Sequence, residues 1–443
     1  MKKNFAEYSA FFIFKAVVFP LSWFIPLFLE QKGITGIYTG ILMAEVPLVS
    51  FLLAFPSGII NDRVESRKLI LFAFLLLSGF AAALSFGKSF AILIPVFALF
   101  ACGKSLFQSS FDSLFIKRLL GEHSEKHLVK YLFVTAAAGF IGLASVFLFQ
   151  IIYGENSNFK LMTITACAVF AFSSLIAFKL KKTHTAKVSI REYGKTKTGK
   201  GIIVFCIILF LFSSHWGAEE TCYALFLKHY LHAGMVNTTV YMMCEFLAFP
   251  AAAFLVAGII DKGKISLLTL FMIGVFFSGL TMILKVNPNY YFSLAMRMIH
   301  GASDGMVLLV TLHGLGSLFD KKKLGGNMGI WGISQVAGSL CGMMIYPKIG
   351  HSLGYQYSFI ISGISLIITA MLILLSAWKR KAGRRGGHSF QRENAKKTSM
   401  AAAWCHAIHK RCSAPFKTGL VLSFFQQKES TAKKSCWGYP QSP

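Results

Sequence analysis

The chain has 443 residues, of which 55% are hydrophobic and only 14% are charged, and its mean hydropathy is +0.60. Soluble domains carry about 25% charged residues, so this composition excludes an ordinary soluble protein and indicates a polytopic membrane protein. The formal net charge of +27 does not indicate a nucleic-acid partner, because 14 of the 45 Lys and Arg residues lie beyond Trp378 and most others lie in short loops between apolar segments.

Apolar segments long enough to cross a bilayer occur twelve times, since about 20 mainly apolar residues span a hydrocarbon core of roughly 30 Å. The first six predicted spans are 9–29, 37–60, 69–87, 90–115, 131–153 and 161–178. The second six are 202–227, 237–260, 265–284, 290–318, 327–346 and 354–378. The start of the chain lacks a small-residue cleavage site, so we expect an uncleaved first span rather than a signal peptide.

The charges of the loops predict the orientation of the chain. Loops after even-numbered spans contain 20 Lys and Arg residues, whereas loops after odd-numbered spans contain six. These six are Lys32, Lys88, Lys160, Lys228, Lys285 and Lys348. Because positively charged loops stay in the cytoplasm, we expect the even-numbered loops and both termini to be cytoplasmic, in a protein of the cytoplasmic (inner) membrane.

The two halves of the chain repeat one pattern. Met43-Ala44-Glu45 precedes Gly58-Ile59-Ile60-Asn61-Asp62-Arg63, and Met243-Cys244-Glu245 precedes Gly258-Ile259-Ile260-Asp261-Lys262 at the same interval. Parallel repeats of six spans are one known membrane architecture. We therefore predict an N-terminal six-helix bundle over 1–178, a cytoplasmic linker over 179–201, a C-terminal six-helix bundle over 202–378 and a basic, disordered cytoplasmic tail over 379–443.

The turn after the second span carries a known motif. Gly58-Ile-Ile-Asn-Asp62-Arg63-Val-Glu65-Ser66-Arg67-Lys68 resembles the signature loop of the major facilitator superfamily, G-x-x-x-D-R/K-x-G-R-R/K, and a weaker copy lies at 258–264. Glu65 replaces the second glycine of that motif and Ser66 replaces a basic residue. The segment 25–35 is loosely similar to the first external loop of small-solute proton symporters of the superfamily. The resemblance implies a secondary transporter with an all-α fold, twelve transmembrane helices in two pseudo-symmetric six-helix bundles.

The motif and its copy are predicted to form a gating loop on the cytoplasmic face. Its candidate residues are Gly58, Asp62, Arg63, Arg67, Lys68, Asp261 and Lys262. Asp62 can accept hydrogen bonds from a helix N-terminus, while Arg63 can bind a carboxylate or a helix C-terminus. Such contacts would stabilise the outward-facing state. The alternative is a solvated, positively charged loop without a gating role.

Ionisable residues inside the predicted spans lie on six spans only. They are Lys15 on span 1, Glu45 on span 2, Lys104 and Asp112 on span 4, His215, Glu219 and Glu220 on span 7, Glu245 on span 8, and Arg297, His300, Asp304 and, toward the end, His313 on span 10. A charge at the bilayer centre costs about 2.5–3.5 kcal/mol, so such residues usually face a bundle interior or a watery cavity. In the superfamily, helices 1, 4, 7 and 10 line the central cavity and helices 2 and 8 flank it.

Spacing groups several of these residues on common helix faces. His215 and Glu219 are four residues apart, Arg297, His300 and Asp304 follow an i, i+3, i+7 pattern, and Glu220 lies about 100° around the helix from Glu219. We predict as substrate or proton-coupling residues Lys15, Lys104, Asp112, His215, Glu219, Glu220, Arg297, His300 and Asp304, with Glu45 and Glu245 as candidate gate residues. The alternative is a set of structural ion pairs, Arg297–Asp304 or Lys104–Asp112, without substrate contact.

These features favour a secondary active transporter that moves a small polar solute by alternating access, coupled to protons. Lys15, Lys104 and Arg297 indicate an anionic solute, and the sequence contains no Walker loop for ATP. The expected partners are the solute, H+ and the lipid bilayer. We expect a monomer with no nucleic acid, cofactor or metal. The main alternative is proton-driven efflux of amphipathic compounds. Less favoured are a membrane enzyme that uses His215 and Glu219 as an acid–base pair and a transport-dead sensor.

Four potential metal ligands lie in the tail. Cys405, His409 and Cys412, with His406 beside them, would share one face of a helix. Their spacing does not fit a common zinc module, so we assign no metal to the tail.

Overall fold

A computed structural model of the chain describes residues 5–119, 124–154, 159–180, 200–261, 265–318 and 324–385. These residues form twelve long α-helices. The first six are α1 (Phe5–Gln31), α2 (Ile37–Arg63), α3 (Ser66–Phe86), α4 (Phe90–Leu119), α5 (Ser124–Tyr153) and α6 (Phe159–Ala177). The second six are α7 (Lys200–His229), α8 (Met235–Asp261), α9 (Leu267–Leu284), α10 (Tyr290–Leu318), α11 (Leu324–Leu353) and α12 (Tyr355–Arg385). The predicted all-α fold is confirmed, with one helix on each predicted span.

Within the described residues, nine helices are long and apolar enough to cross a membrane. The remaining three are α2, which has a shorter apolar segment at Ile37–Leu53, together with α10 and α11. The apolar sequence of α10 is interrupted by Arg297, His300 and Asp304. A helix that turns ionisable side chains toward a protein interior is less apolar along its length than one surrounded by lipid.

Two helices extend beyond the predicted spans. α11 continues through Pro347 to Leu353, so Lys348 is a helix residue and not the loop residue that we expected. A proline is tolerated inside a membrane helix, because neighbouring helices and local adjustments satisfy the freed backbone groups. α12 continues to Arg385. The predicted start of the tail at 379 therefore falls inside α12, whose residues to 385 are helical. Residues 181–199 of the predicted linker and residues 386–443 of the tail lie outside the described part of the chain.

The packing of the helices repeats between the halves. α1 packs against α5 and α6, α2 against α4, and α3 against α4 and α6. Six helices later the same pairs recur: α7 packs against α11 and α12, α8 against α10, and α9 against α10 and α12. The repeat that the sequence displays around Glu45 and Glu245 therefore extends to the arrangement of whole helices.

The two bundles meet through α1 with α7, α2 with α11, and α5 with α8. We call the side of the molecule that carries the turns after α1, α3, α5, α7, α9 and α11 the odd-loop face. On this side Lys228 donates to Glu30 at 2.6 Å, and Gly36 lies against the ring of His351. Deeper on the same side, Thr239 Oγ1 donates to Gln150 Oε1 at 2.9 Å. These contacts hold the bundles together at the odd-loop face.

Glycines allow α7 and α11 to approach each other closely. A methyl group added at Gly342 would collide with the carbonyl oxygen of Ser214, and one added at Gly217 would collide with the backbone of Gly342. Gly338 faces the carbonyl oxygen of Phe210 in the same way. Small residues at such positions let membrane helices pack backbone to backbone, which fixes the position of α7 and of its ionisable side chains.

Replacing Gly342 by alanine is expected to destabilise the protein by about 1–3 kcal/mol, because the added methyl group must push α7 and α11 apart. Thermal unfolding of the detergent-purified protein measures the loss. Gly332→Ala is the matched control, since Gly332 lies on the same helix and has no atom within 4 Å of an added methyl group. Equal unfolding temperatures for the two variants would contradict the close contact.

Candidate functional site

A buried network of ionisable side chains lies in the second bundle. Its members on predicted site positions are His215 and Glu219 on α7, Glu245 on α8, and Arg297, His300 and Asp304 on α10. The rings of His215 and His300 are fully buried, and Arg297 is 1% exposed. Arg297, His300 and Asp304 lie on one face of α10, and His215 and Glu219 lie on one face of α7, as their spacing predicts. These two faces lie against each other.

Arg297 is the central cation of the network. Its two terminal nitrogens donate separately to Glu219 and to Glu245. Its guanidinium carbon also lies 4.2 Å from the ring centroid of Tyr223 and 5.7 Å from that of Trp23, which belongs to α1 of the first bundle. Two carboxylates and two aromatic faces compensate the loss of water around this charge. The ion pair of Arg297 with Asp304, considered from the sequence, is therefore replaced by pairs with two glutamates.

The two histidines connect the carboxylates of α7 and α10. His215 Nε2 lies 3.1 Å from Asp304 Oδ2, and His300 Nε2 lies 3.0 Å from Glu219 Oε1. The two imidazole rings are perpendicular, with their centroids 5.7 Å apart. Ser278 on α9 donates to the second oxygen of Asp304 at 2.8 Å, which fixes the orientation of that carboxylate. With Glu245 on α8 and Ser278 on α9, the network thus joins four helices through one set of side chains.

Lys285 is a member of the network that the sequence did not predict. It directly follows α9, and we expected it in a solvated loop. Instead its side chain is fully buried, with the ammonium 3.6 Å from Glu219 Oε1 and 4.4 Å from the ring centroid of Tyr223. A lysine at the end of a span usually extends its charge toward water, and nothing in the local sequence indicated that this one turns inward.

A second group of charged residues faces the network from the first bundle. Lys15 on α1 is half-buried and interacts electrostatically with Asp112 and Lys104 on α4 and with Glu220 on α7. The Lys15 ammonium lies 5.3 Å from the ring centroid of Phe19. Glu219 and Glu220, adjacent in sequence, therefore interact with different bundles, as their angular separation on the helix predicts.

Asp112 is held by a neighbouring amide. Gln108 Nε2 donates to the two oxygens of Asp112 at 2.9 and 3.0 Å and lies 3.1 Å from the hydroxyl of Tyr131. The alternative of a structural ion pair between Lys104 and Asp112 is not observed. Lys104 instead lies 5.9 Å from the ring centroid of Phe100. Gln108 was not predicted from the sequence, although it lies one turn before Asp112 on the same face.

The two candidate gate residues have different surroundings. Glu245 binds Arg297 in the buried network. Glu45 occupies the equivalent place on α2, is half-buried and forms no ion pair with a described residue. Glu45 and Glu245 therefore occupy equivalent positions in the sequence repeat, but only Glu245 pairs with a described cation.

The gating-loop residues are only partly described. Arg67 Nε donates to Glu65 Oε2 at 2.7 Å, which is a contact within the turn, and Arg63 and Lys68 are exposed. The pair explains how the turn accommodates Glu65 where the motif has glycine. The environments of Gly58, Asp62 and Asp261, the whole of Lys262, and the tail residues Cys405 to Cys412 lie outside what the structure describes, so their roles stay predictions.

Comparison with known proteins identifies the fold. The family model of the Major Facilitator Superfamily matches residues 221–427, a little under half of the chain. A POT family transporter in complex with a thioalcohol-conjugated peptide has a similar structure, with a TM-score of 0.70 and 15% identity over 84% of this chain and 96% of its own. The chain has the fold of the major facilitator superfamily. The fold that the signature loop implies is therefore confirmed, and this fold with its apolar helices is that of an integral, multi-pass membrane protein.

Other solved members of this fold are equally distant in sequence. A variant of the nucleoside transporter NupG has a TM-score of 0.69 and 10% identity, over 84% of this chain and 98% of its own. A variant of the peptide transporter POT in complex with alafosfalin has a TM-score of 0.69 and 13% identity, over 85% of this chain and 94% of its own. No curated protein sequence matches the chain. These findings support a membrane transporter of the major facilitator type.

Replacing Arg297 by glutamine is expected to destabilise the protein by about 3–5 kcal/mol, because Glu219 and Glu245 then remain buried without their cation. The unfolding temperature of the detergent-purified variant measures the loss. Arg67→Gln is the matched control, since the ion pair of Arg67 is partly exposed and such pairs contribute about 0–1 kcal/mol. A similar unfolding temperature in the two variants would contradict the central position of Arg297.

Proposed function

We propose that the chain is a secondary active transporter that moves a small polar solute by alternating access and couples this movement to protons. The observation that carries the proposal is the position of the ionisable groups. Arg297 contacts Trp23, and Lys15 interacts with Glu220, so charged groups of both bundles meet where α1 faces α7. A solute bound between the halves of such a fold contacts both sets.

The charge of the buried network supports proton coupling. Its carboxylates are Glu219, Glu245 and Asp304, its permanent cation is Arg297, and Lys285 is a second cation when its amine is protonated. With Lys285 protonated and both histidines neutral, the network carries one net negative charge, which is unfavourable in a low-dielectric interior. One bound proton neutralises it. The network therefore needs a proton when it is closed from water, and it can release that proton when the cavity opens.

Glu219 is the residue through which we expect the proton to act. It interacts with Arg297, Lys285 and His300, so a proton on its carboxylate affects its contacts with both cations and with one histidine. Protonation of Glu219 removes one of the two carboxylates that hold Arg297. The guanidinium, which also contacts Trp23 of α1, is then freer to move relative to the first bundle. A proton at one side chain thereby changes a contact between the two bundles.

The charged residues around Lys15 favour a solute that carries charge. Lys15 and Lys104 supply cations, and Asp112 and Glu220 supply carboxylates, on the facing side of the interface. An anionic solute or one with charges of both signs is suited to this pattern. The structures of similar fold include transporters of peptides and of nucleosides, so these two solute classes are the first to test.

The aromatic surroundings of Lys15 favour the second candidate function, proton-driven efflux of amphipathic compounds. Phe14 stacks on Phe107 with ring centroids 3.9 Å apart, and Phe11 stacks on Phe111 at 4.3 Å. These four rings are buried in the closed structure, so apolar parts of a solute would contact them only when the bundles separate. The direction in which a proton gradient drives the solute distinguishes uptake from efflux.

The closed odd-loop face suggests which state of the transport cycle the structure represents. The positive-inside pattern assigns the odd-numbered loops to the outside of the cell. With that orientation, the contacts of Glu30 with Lys228 and of Gly36 with His351 close the external side of the transporter. Alternating access then requires these contacts to break when the cavity opens outward.

Glu219→Gln is expected to abolish pH-driven uptake, because the variant cannot bind and release a proton at this position. Purified protein in liposomes is tested with a panel of peptides and nucleosides under an imposed pH gradient. Solute exchange without a gradient is expected to remain measurable, since it requires no net proton movement.

Glu65→Gln, a change in the exposed turn after α2, is the control and is expected to retain pH-driven uptake. Gradient-driven uptake that persists in Glu219→Gln would remove this residue from the coupling mechanism. If no solute of the panel responds to the gradient in the wild-type protein, proton coupling itself is wrong.

A disulfide across the odd-loop face is expected to stop transport reversibly. A Cβ atom added at Gly40 lies 3.7 Å from Cβ of Pro347, within the separation of about 3.5–4.5 Å that a disulfide needs. It also lies 2.8 Å from the carbonyl oxygen of Met343, so α2 and α11 must move slightly apart to accept the cysteine. Gly40→Cys with Pro347→Cys should lose transport on oxidation and regain it on reduction. Each single variant is a control for the native cysteines and for the added side chain. Unaltered transport by the oxidised double variant would show that this face does not open.

A further inference from the structure

We propose that His215, Glu219, His300 and Asp304 bind one divalent transition-metal ion within the second bundle. Each residue offers one ligand atom, and the four atoms all lie within 4.8 Å of one another. Two ligands come from α7 and two from α10. All four side chains are buried, and they are the described residues whose donor atoms converge most closely in this region.

The separations between the donor atoms fit a shared ion. His215 Nε2 lies 3.1 Å from Asp304 Oδ2, His300 Nε2 lies 3.0 Å from Glu219 Oε1, and His300 Nε2 lies 3.7 Å from Asp304 Oδ2. In a tetrahedral site, bonds of about 2.0–2.2 Å separate neighbouring ligand atoms by roughly 3.3–3.6 Å. These three separations lie around this value and the remaining ones reach at most 4.8 Å, so an inward movement of the side chains by about an ångström completes the site.

Both histidines are oriented as metal ligands are. Nδ1 of His215 faces the carbonyl oxygen of Phe212, and Nδ1 of His300 lies 3.1 Å from that of Ser278. A carbonyl oxygen only accepts hydrogen bonds, so each Nδ1 carries the hydrogen and each Nε2 is directed at the carboxylates. A backbone carbonyl that fixes the tautomer in this way is the usual outer partner of a metal-bound histidine.

A buried nitrogen at the centre of the group has no hydrogen-bond partner. His300 is fully buried, and although its Nε2 lies 3.0 Å from Glu219 Oε1, the geometry does not form a hydrogen bond. Buried polar atoms in proteins are nearly always satisfied. A shared metal ion would bind this nitrogen. The ion would also lie between the lone pair of His300 Nε2 and the negatively charged Oε1 of Glu219.

The ligand set indicates the class of metal. Two imidazoles and two carboxylates suit divalent ions such as Zn²⁺ and Mn²⁺, and the absence of a thiolate among the four ligands disfavours a soft ion such as Cu⁺. Arg297 competes with the ion for Glu219, but Glu245 holds the other side of its guanidinium. The sequence carries the signal as two H-x-x-x-acid pairs, 215–219 and 300–304, and only the fold brings them together.

Metal binding to the full-length chain in detergent tests the inference, and the measurement does not depend on the proposed transport function. Protein stripped with EDTA is titrated with Zn²⁺ by calorimetry, and Co²⁺ absorbance reports the ligand field. We expect one ion per chain. His215→Gln and His300→Gln should each weaken binding by at least roughly 10–100-fold, which is the loss expected when only an outer partner of a ligand is removed. His232→Asn, at an exposed position outside the cluster, should bind like the wild type.

The thiols of the tail are the main competing site. The double variant Cys405→Ser, Cys412→Ser lacks these thiols, and we expect it still to bind one ion per chain. Asp304→Asn serves as a third ligand variant if a histidine variant elutes as aggregate. Absence of saturable binding, binding that survives loss of both histidines, or binding lost only with the two cysteines would overturn the inference. Such a result would not contradict the proposal of pH-driven uptake. A failure of uptake, in turn, would not contradict the proposal of metal binding.

Discussion

The burial of Arg297 between two carboxylates is the constraint on which the rest of the second bundle depends. A guanidinium cannot lose its charge in a protein, so removing it from water requires compensating groups on every side. Glu219 and Glu245 provide that compensation from two different helices, and Tyr223 and Trp23 cover the faces of the group. The positions of α7, α8 and α10 relative to one another follow from this one side chain.

Helix packing gives that arrangement its precision. Gly217 and Gly342 allow α7 to lie directly on α11, and the same pairs of helices recur in both halves of the chain. A network of charges is favourable only when its geometry is fixed, since each group left without a partner is costly in a low-dielectric interior. The glycine contact and the charge network therefore stabilise one another, although they lie on different faces of α7.

Much of this structure could be predicted from the sequence. Apolar length located the twelve helices, and the scarcity of ionisable residues in membrane spans pointed to α7 and α10, because such residues are costly unless they meet a partner. Helix periodicity separated Glu219 from Glu220. The partners themselves could not be predicted. Lys285 turns inward from the end of a helix, and Ser278 and Gln108 contribute through the fold alone, so no local pattern marks them.

The two sets of ion pairs differ in their access to water. Lys228, which binds Glu30 at the odd-loop face, is about half exposed, whereas Arg297 and Lys285 are almost wholly buried. Dissolved salt screens the attraction between exposed charges, with a Debye length of about 8 Å at physiological ionic strength. Buried pairs are screened much less. In the proposed transport cycle, the balance between the closed and the open odd-loop face should therefore respond to the salt concentration of the surrounding medium. Ionic strength would shift that conformational equilibrium while the internal charges keep their partners.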